Sequence, residues 1–353
     1  MWQTTGQPKL VDLLQRAEQL GSFSHAYLLV GPPHIGKMTL ALDMAMSLNC
    51  QSEKAIHPCI SCTSCKKIAS GKHPDVQVVE LGQNGEDEDS KEKKLIGIDQ
   101  IDNMLHSAYL ATFEGKQRCY IINEASNLSS VAANRLLKIL EDPPARVTFI
   151  LLTANIGLIP VTIVSRCQKL VLQRMKTAEI EALLREKRAI EPPRAKLLAR
   201  LSRGCPGWAF ETAQNDQFLE GRQESFEKML ALVKSGFSER FPAATQLASQ
   251  YSKKRETVYA TLESWVDWWR DILLVKTGCH ADIVNIDFLA HFTEMARGLT
   301  LFQIKETILK IGQASQQLKI NANSRLVLEA LMLNIARPQV LKTSVPGLEV
   351  LNA

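Results

Sequence analysis

The chain is 353 residues long, 45% hydrophobic and 22% charged, with a formal net charge of +5. That length exceeds one ordinary domain, so two or three are expected, each able to bury a core. The charge is mild and spread along the sequence, which does not mark a nucleic-acid binder, and the absence of any apolar run near 18 residues excludes a membrane-spanning helix.

In chain order, "MWQTTGQPKL" comes first. It lacks an apolar signal core, so the expected compartment is the cytoplasm. Up to residue 173, unalternating apolar runs predict strands buried on both faces at 26–30, 76–81, 118–123, 147–153 and 169–173. Helical spacing at 38–48, 98–109 and 129–141 fills the gaps, which predicts an α/β domain with a parallel sheet. The polar stretch 82–94, "GQNGEDEDSKEKK", is expected to be a solvated loop.

The first strand runs into "GPPHIGKMT", which meets the phosphate-loop pattern G-x-x-x-x-G-K-[ST] at Gly31, Gly36 and Lys37 but not at Met38. Loop N–H groups and the helix start would cradle an anion, with Lys37 as a point charge for outer phosphates; the alternative is a glycine turn with an incidental lysine. A thioether is a poor magnesium ligand, since magnesium demands hard oxygen. Thr39 lies about 100° further around the helix and does not simply substitute. Nucleotide can still be held, but magnesium-assisted hydrolysis should suffer. "CYIINEAS" ends a strand in the manner of an acidic magnesium-and-base element, yet it reads Asn123-Glu124, and Asn123 brings no charge. Asn123 as a simple strand cap is the alternative.

Four of the eight cysteines, Cys50, Cys59, Cys62 and Cys65, are spaced C-x8-C-x2-C-x2-C. In a reducing compartment this points to a tetrahedral, structural Zn2+ site rather than to disulfides. An iron–sulfur reading stays open on C-x2-C-x2-C, although its usual continuation fails at residue 69, an alanine. His57 or His73 in place of one sulfur is a further alternative.

From residue 176 the strand signal stops. "TAEIEALLREK" and "RAKLLARLSRG" read as two helices separated at Glu191-Pro192-Pro193, followed by a turn at Gly204–Gly207. Residues 217 to about 337 keep helical period with a single proline, Pro242, which predicts a helical bundle. In "ESWVDWWRDILL", Trp265, Trp268, Trp269 and Leu273 share a helical face, and such a stripe belongs in a core or subunit interface rather than on a base-stacking platform.

Several of these stretches together resemble the AAA+ clamp-loader subunits of bacterial DNA polymerase III, in their gamma/tau and delta-prime branches. The resemblance rests on "SHAYLLVGP", the four-cysteine insertion, "AANRLLKILEDPP" (132–144) and "FILLTANIGLIPVTIVSRCQKLVL" (149–172). It is close over residues 8 to about 213 and weaker through 265–278 and 321–333. It implies an α/β AAA+ P-loop domain over 1–173 with a zinc module at 50–65, and a small helical lid over 174–215. An all-α collar over 216–340 and a tail at 341–353 complete the expected layout.

The resemblance also implies roles. Arg166, in Ser165-Arg166-Cys167, would be an arginine finger reaching a neighbouring subunit's ATP, since a guanidinium forks onto phosphate oxygens. Thr153 and Asn155 match a sensor region and would position water or phosphate, unless they merely cap a strand end. Gly207-Trp208 stands where active ATPase subunits carry a lid arginine. The chain's own site (Gly31, Gly36, Lys37, Thr39, Glu124, Thr153, Asn155) would thus be defective for ATP/Mg2+ chemistry, at Met38 and Asn123 above all. That asymmetry favours the delta-prime branch. The implied partners are gamma/tau and delta subunits in a hetero-oligomer, with the sliding clamp and primed DNA met indirectly and no membrane. An active gamma-like ATPase and a zinc-dependent nucleic-acid module with a relic phosphate loop are the competing readings.

Overall fold

The computed structural model describes residues 2–52, 57–81 and 95–338. The stretch 82–94, the expected tail 341–353 and part of the 50–65 insertion lie outside the described residues. The chain divides into two compact units, residues 1–180 with 204–210, and residues 181–203 with 211 onward.

The first unit is built on five strands: β1 (Ala26–Val30), β2 (Val76–Val79), β3 (Arg118–Ile122), β4 (Val147–Thr153) and β5 (Gln168–Val171). They lie in the order β2-β3-β4-β1-β5, and every pair is parallel. Parallel neighbours need crossovers, and the helices supply them. These are α2 (Lys37–Leu48), α3 (Thr63–Ala69), α4 (Ile98–Ala108), α5 (Ser130–Glu141) and α6 (Val161–Val164), while α1 (Pro8–Gln19) precedes β1.

Alternate residues of one strand enter opposite cores. Tyr27 and Leu29 pack with Leu40, Met44 and Ile150 on one face, while Leu28 packs with Ile101, Leu136 and Phe149 on the other. β1, β3 and β4 are buried along almost their whole length, as the apolar runs predict. β5 is not. Its residues Gln168, Lys169 and Val171 are exposed and only Leu170 is buried, because β5 is an edge strand with one paired side. β2 is the opposite edge and ends at Val79 rather than residue 81, since the Glu80 carbonyl accepts from Gln100 Nε2 at 3.0 Å.

A buried carboxylate ties the approach to β3. Asp75 accepts N–H bonds from Phe113 (2.8 Å), Glu114 (2.9 Å) and Gly115 (2.8 Å), and lies 3.2 Å from Arg118. Burial alone would raise its pKa, but these donors and the guanidinium outweigh it and hold the carboxyl below its usual range.

Three helices follow the sheet: α7 (Thr177–Arg188), α8 (Pro192–Leu201) and α9 (Pro206–Thr212). Pro192 and Pro193 do not merely break the chain. They occupy the first turn of α8, where a missing N–H costs nothing.

The second unit is helical among its described residues. Its main elements are α10 (Gln217–Lys234), α11 (Phe237–Lys253), α12 (Arg255–Lys276), α13 (Leu289–Arg297), α14 (Leu301–Lys319) and α15 (Ser324–Asn334). Trp265, Trp268 and Trp269 are buried in its core, and Phe226 stacks on Phe288 at 3.8 Å between centroids. The tryptophan stripe is therefore bundle packing. No helix among the described residues is long and apolar enough to cross a membrane.

Candidate functional site

The carboxyl ends of β1, β3 and β4 converge where α2 begins, the position at which open parallel sheets place ligands. A cleft of about 330 Å³ opens there, lined among others by His34, Gly36, Lys37, Met38, Thr39, Asn123, Glu124, Thr153 and Gly207. Residues far apart in sequence thus share one wall. Gly36 enters α2 with φ +102°, a left-handed conformation that favours glycine and aims the first helical N–H groups at the cleft.

Lys37 Nζ donates to the carbonyl oxygens of Gly31 at 2.7 Å and Pro32 at 2.8 Å. Its ammonium is thereby engaged by the loop itself. Burial lowers its pKa, opposed by Cys205 and Glu124. Gly31 does not line the cleft but closes the loop, its N–H bonding the Thr153 carbonyl at 3.1 Å. Met38 turns partly into the apolar cluster under α2 while its other side meets the cleft.

Asn123 and Glu124 face the same cavity. Asn123 Nδ2 donates to Glu80 Oε1 at 3.2 Å, and Glu124 Oε2 accepts from Asn127 Nδ2 at 3.0 Å. Glu124 has φ +51°, a left-handed conformation rare for a non-glycine residue and a known place for strain at functional sites.

Thr153 lines the cleft, with its hydroxyl exchanging hydrogen bonds of 3.1 Å with the Asn155 backbone. Asn155 stands outside the lining, its Oδ1 capping the next turn through Gly157 N–H at 2.9 Å. Arg166 is also outside the cleft. Its guanidinium donates to Glu141 Oε1 at 2.6 Å and to the Thr162 carbonyl at 3.0 Å, on an exposed surface.

Two contacts at the cleft carry no motif signal in the sequence. His34 and Gly207 are joined by a 2.9 Å bond from the Gly207 N–H to the His34 carbonyl, which docks the start of α9 on the phosphate loop. A Cβ at position 207 would sit 2.7 Å from that carbonyl oxygen, so only glycine permits the approach. The other is Glu80's partnership with Asn123, which only the β2–β3 register creates.

The cysteine insertion forms a second site. The sulfurs of Cys50, Cys59, Cys62 and Cys65 all lie within 4.8 Å of one another, and no histidine joins the group. A tetrahedron with metal–sulfur bonds of about 2.3 Å has edges of about 3.8 Å, and Cys59 and Cys65 Sγ are 4.0 Å apart. Backbone N–H groups point at sulfur as the C-x2-C turns require, Cys62 N to Cys59 Sγ at 3.3 Å and Cys65 N to Cys62 Sγ at 3.4 Å. The Cys62 N–H, ahead of the opposing burial, pulls the Cys59 thiol down to about 5, while burial pushes Cys50 and Cys65 up. A cation would resolve that conflict by taking all four as thiolates. The donor set fits a closed metal site.

Two side chains from elsewhere in the unit anchor the module. Trp2 Nε1 donates to the His57 carbonyl at 3.0 Å, and Lys116 Nζ to the Cys50 carbonyl at 2.6 Å.

Sequence comparison agrees with this architecture. The family described as "DNA polymerase III, delta subunit" matches residues 6–176. The chain is 29% identical over 327 residues to DNA polymerase III subunit delta' of Bacillus subtilis (strain 168), covering 93% of this chain and 95% of that one. It is 26% identical over 351 residues to subunit tau of the same organism, covering 94% of this chain and 60% of tau. With subunit gamma of Buchnera aphidicola subsp. Acyrthosiphon pisum it shares 36% identity over 180 residues, 51% of this chain and 47% of gamma. The chain thus spans nearly all of the delta' relative but only part of the tau and gamma relatives. With its parallel sheet, its phosphate loop at the carboxyl ends of the strands and its helical second unit, the chain is similar in sequence and architecture to the AAA+ clamp-loader subunits of bacterial DNA polymerase III.

Proposed function

We propose that the chain is a delta-prime-type subunit of a DNA polymerase III clamp loader, taking part in ATP-driven loading of the sliding clamp on primed DNA. Its own site does not organise magnesium for hydrolysis, and Arg166 serves the ATP site of a neighbouring gamma/tau subunit. The observation that carries this reading is the make-up of the cleft. Met38 stands where a hydroxyl would bind the metal, Asn123 replaces a carboxylate, and Lys37 is already satisfied by the Gly31 and Pro32 carbonyls. Glu124 is the single carboxylate among the residues lining the cleft, and the loop hydroxyl that would join it on the metal is missing at Met38. The similarity to subunit delta' along nearly the whole chain supports the same branch. Residues 216–340 would act as the collar that joins gamma/tau and delta subunits, 174–215 as the lid, and the assembly would work in the cytoplasm.

The test is ATP turnover by the isolated full chain with magnesium. Turnover at the uncatalysed background, unchanged in Lys37→Ala, is expected. Motor-like turnover by the lone chain that Lys37→Ala abolishes would establish the gamma-like reading instead.

The metal of the cysteine module is zinc in this reading, since four thiolates in a closed tetrahedral arrangement suit its softness and geometry. Structural zinc sites bind with about 10–16 kcal/mol in small peptides. Removing the ion is therefore expected to unravel 57–69 rather than loosen it. Elemental analysis should find close to one zinc per chain, and a strong chelator should make Cys50, Cys59, Cys62 and Cys65 reactive to a thiol reagent. Equal thiol reactivity with and without chelator would exclude a bound ion.

A further inference from the structure

Among the described residues no strand pairs with the outer edge of β2, and a groove of about 590 Å³ runs beside it. Its floor is apolar, formed by Met38 and Leu42 of α2, Ile68 of α3, and Val76 and Val78 of β2. In a parallel ladder successive residues turn their peptide groups to alternate sides. Cys119 N bonds the Asp75 carbonyl and Asn123 N the Val79 carbonyl, so residues 75, 77 and 79 face β3, and Val76, Val78 and Glu80 face outward. The Val76 N–H is turned back to the His73 carbonyl, and the Glu80 carbonyl is taken by Gln100. The Val76 carbonyl, both peptide groups of Val78 and the Glu80 N–H are left along the groove, with no partner among the described residues.

We propose that this groove takes an extended peptide of a partner protein, alternating apolar and acidic residues, as a sixth strand on β2. The unpaired peptide groups, at strand spacing, match the donors and acceptors of another extended backbone. The floor between β2 and α3 receives every second side chain. The rim chooses the charge: Lys72 lies between the lining residues Gly71 and His73, and Lys66 one turn before the lining Ala69. Both lysines are exposed and lack an ion-pair partner among the described residues, whereas Lys67 beside them is held by Glu114 at 2.6 Å. Two unneutralised lysines favour carboxylates on the incoming strand.

The test is fluorescence anisotropy of the full chain with a fluorescein-labelled peptide of about six residues alternating valine and glutamate. Saturable binding that weakens with salt is expected. Val78→Pro removes an outward N–H without touching the ladder to β3, a position where an edge strand tolerates proline, and should weaken binding by at least about tenfold. Lys66→Glu with Lys72→Glu, which alters only exposed side chains, should weaken it similarly and abolish the salt dependence. The same peptide with alternate amides N-methylated should not bind. Equal binding by the N-methylated peptide, indifference to both variants, or no binding at low salt would overturn the proposal. So would self-association that Val78→Pro abolishes without uptake of the peptide, which would assign the edge to a second copy.

Discussion

Arg166→Ala is expected to lower ATP turnover at the adjacent motor site of the reconstituted assembly by a factor on the order of 10³, the lower end of what an arginine finger supplies. The isolated variant should stay folded with an unchanged melting point. Arg166 is about one-third exposed and its partner Glu141 about half exposed, at 34% and 54% for the side chains. A pair so placed contributes about 0–1 kcal/mol to stability, because solvent screens it and two long side chains must be ordered. The same weakness is what a trans-acting residue needs. Exchanging Glu141 for a phosphate costs little, while a guanidinium that meets charge developing in a water-poor interface is worth far more. Arg166→Lys should rescue poorly, since an ammonium is a point charge without the planar fork. Full turnover in an assembly carrying Arg166→Ala would remove the residue from catalysis altogether.

A structural role for Arg166 makes the opposite forecast. The guanidinium also bonds the Thr162 carbonyl, at the start of the short helix that leads into β5. Were that its purpose, the alanine variant would lose stability in isolation, and turnover would fall only in proportion to misfolded protein. Measuring melting and turnover on the same preparation separates the two. The Glu141→Gln variant sharpens the distinction, for it frees the guanidinium without removing it and should leave turnover intact or raise it.

What the sequence reveals of this molecule depends on how local the information is. The phosphate loop is contiguous from Gly31 to Thr39, and its glycines and lysine carry backbone conformation and charge directly, so motif and structure coincide. The cysteines likewise fall within one short insertion, and the C-x2-C spacing contains the N–H to sulfur geometry. The central strands are legible because burial on both faces leaves an unbroken apolar run. β5 carries Gln168 and Lys169 beside Leu170 and Val171 and lies at an edge, a place decided by the crossovers and not by the apolar run at 169–173. Pairings across the chain are the least visible. Asn123 meets Glu80 only because of the β2–β3 register, and Gly207 meets the His34 carbonyl across more than 170 positions of sequence. The resemblance carries Asn155 toward the nucleotide, whereas its amide is occupied capping a turn, a role its residue type fits equally well.

Arg240 shows how much of the stability lies in that invisible class. It reads as one more surface arginine of a helical segment, yet only 4% of it is exposed. Its Nε donates to the Leu232 carbonyl at 3.0 Å and Nη2 to Val233 at 3.0 Å, at the end of α10. Nη1 donates to Met332 at 3.0 Å and Ile335 at 2.8 Å, at the end of α15. One guanidinium therefore caps the carboxyl ends of two helices, and its charge suits both negative helix ends. Burial lowers its pKa, with repulsion from Arg337 in the same direction, so the carbonyls alone must hold the charge. Arg240→Met keeps the packing volume but strands the Val233, Met332 and Ile335 carbonyls, each at roughly 1–3 kcal/mol before relaxation, while the Leu232 carbonyl keeps the Ser235 hydroxyl at 2.9 Å. With waters reaching some of them, a net loss of about 3–5 kcal/mol is expected, a large fraction of the total for a folded domain. Trp265, Trp268 and Trp269 sit in the same core and report it, so denaturant unfolding followed by tryptophan fluorescence should show an early transition in the variant. Arg240→Lys should recover only a minor part, because three donors on one nitrogen do not span both helix ends. A methionine variant that unfolds within about 0.5 kcal/mol of the parent, the ordinary range for surface changes, would mean that water caps these helices as well as the guanidinium does.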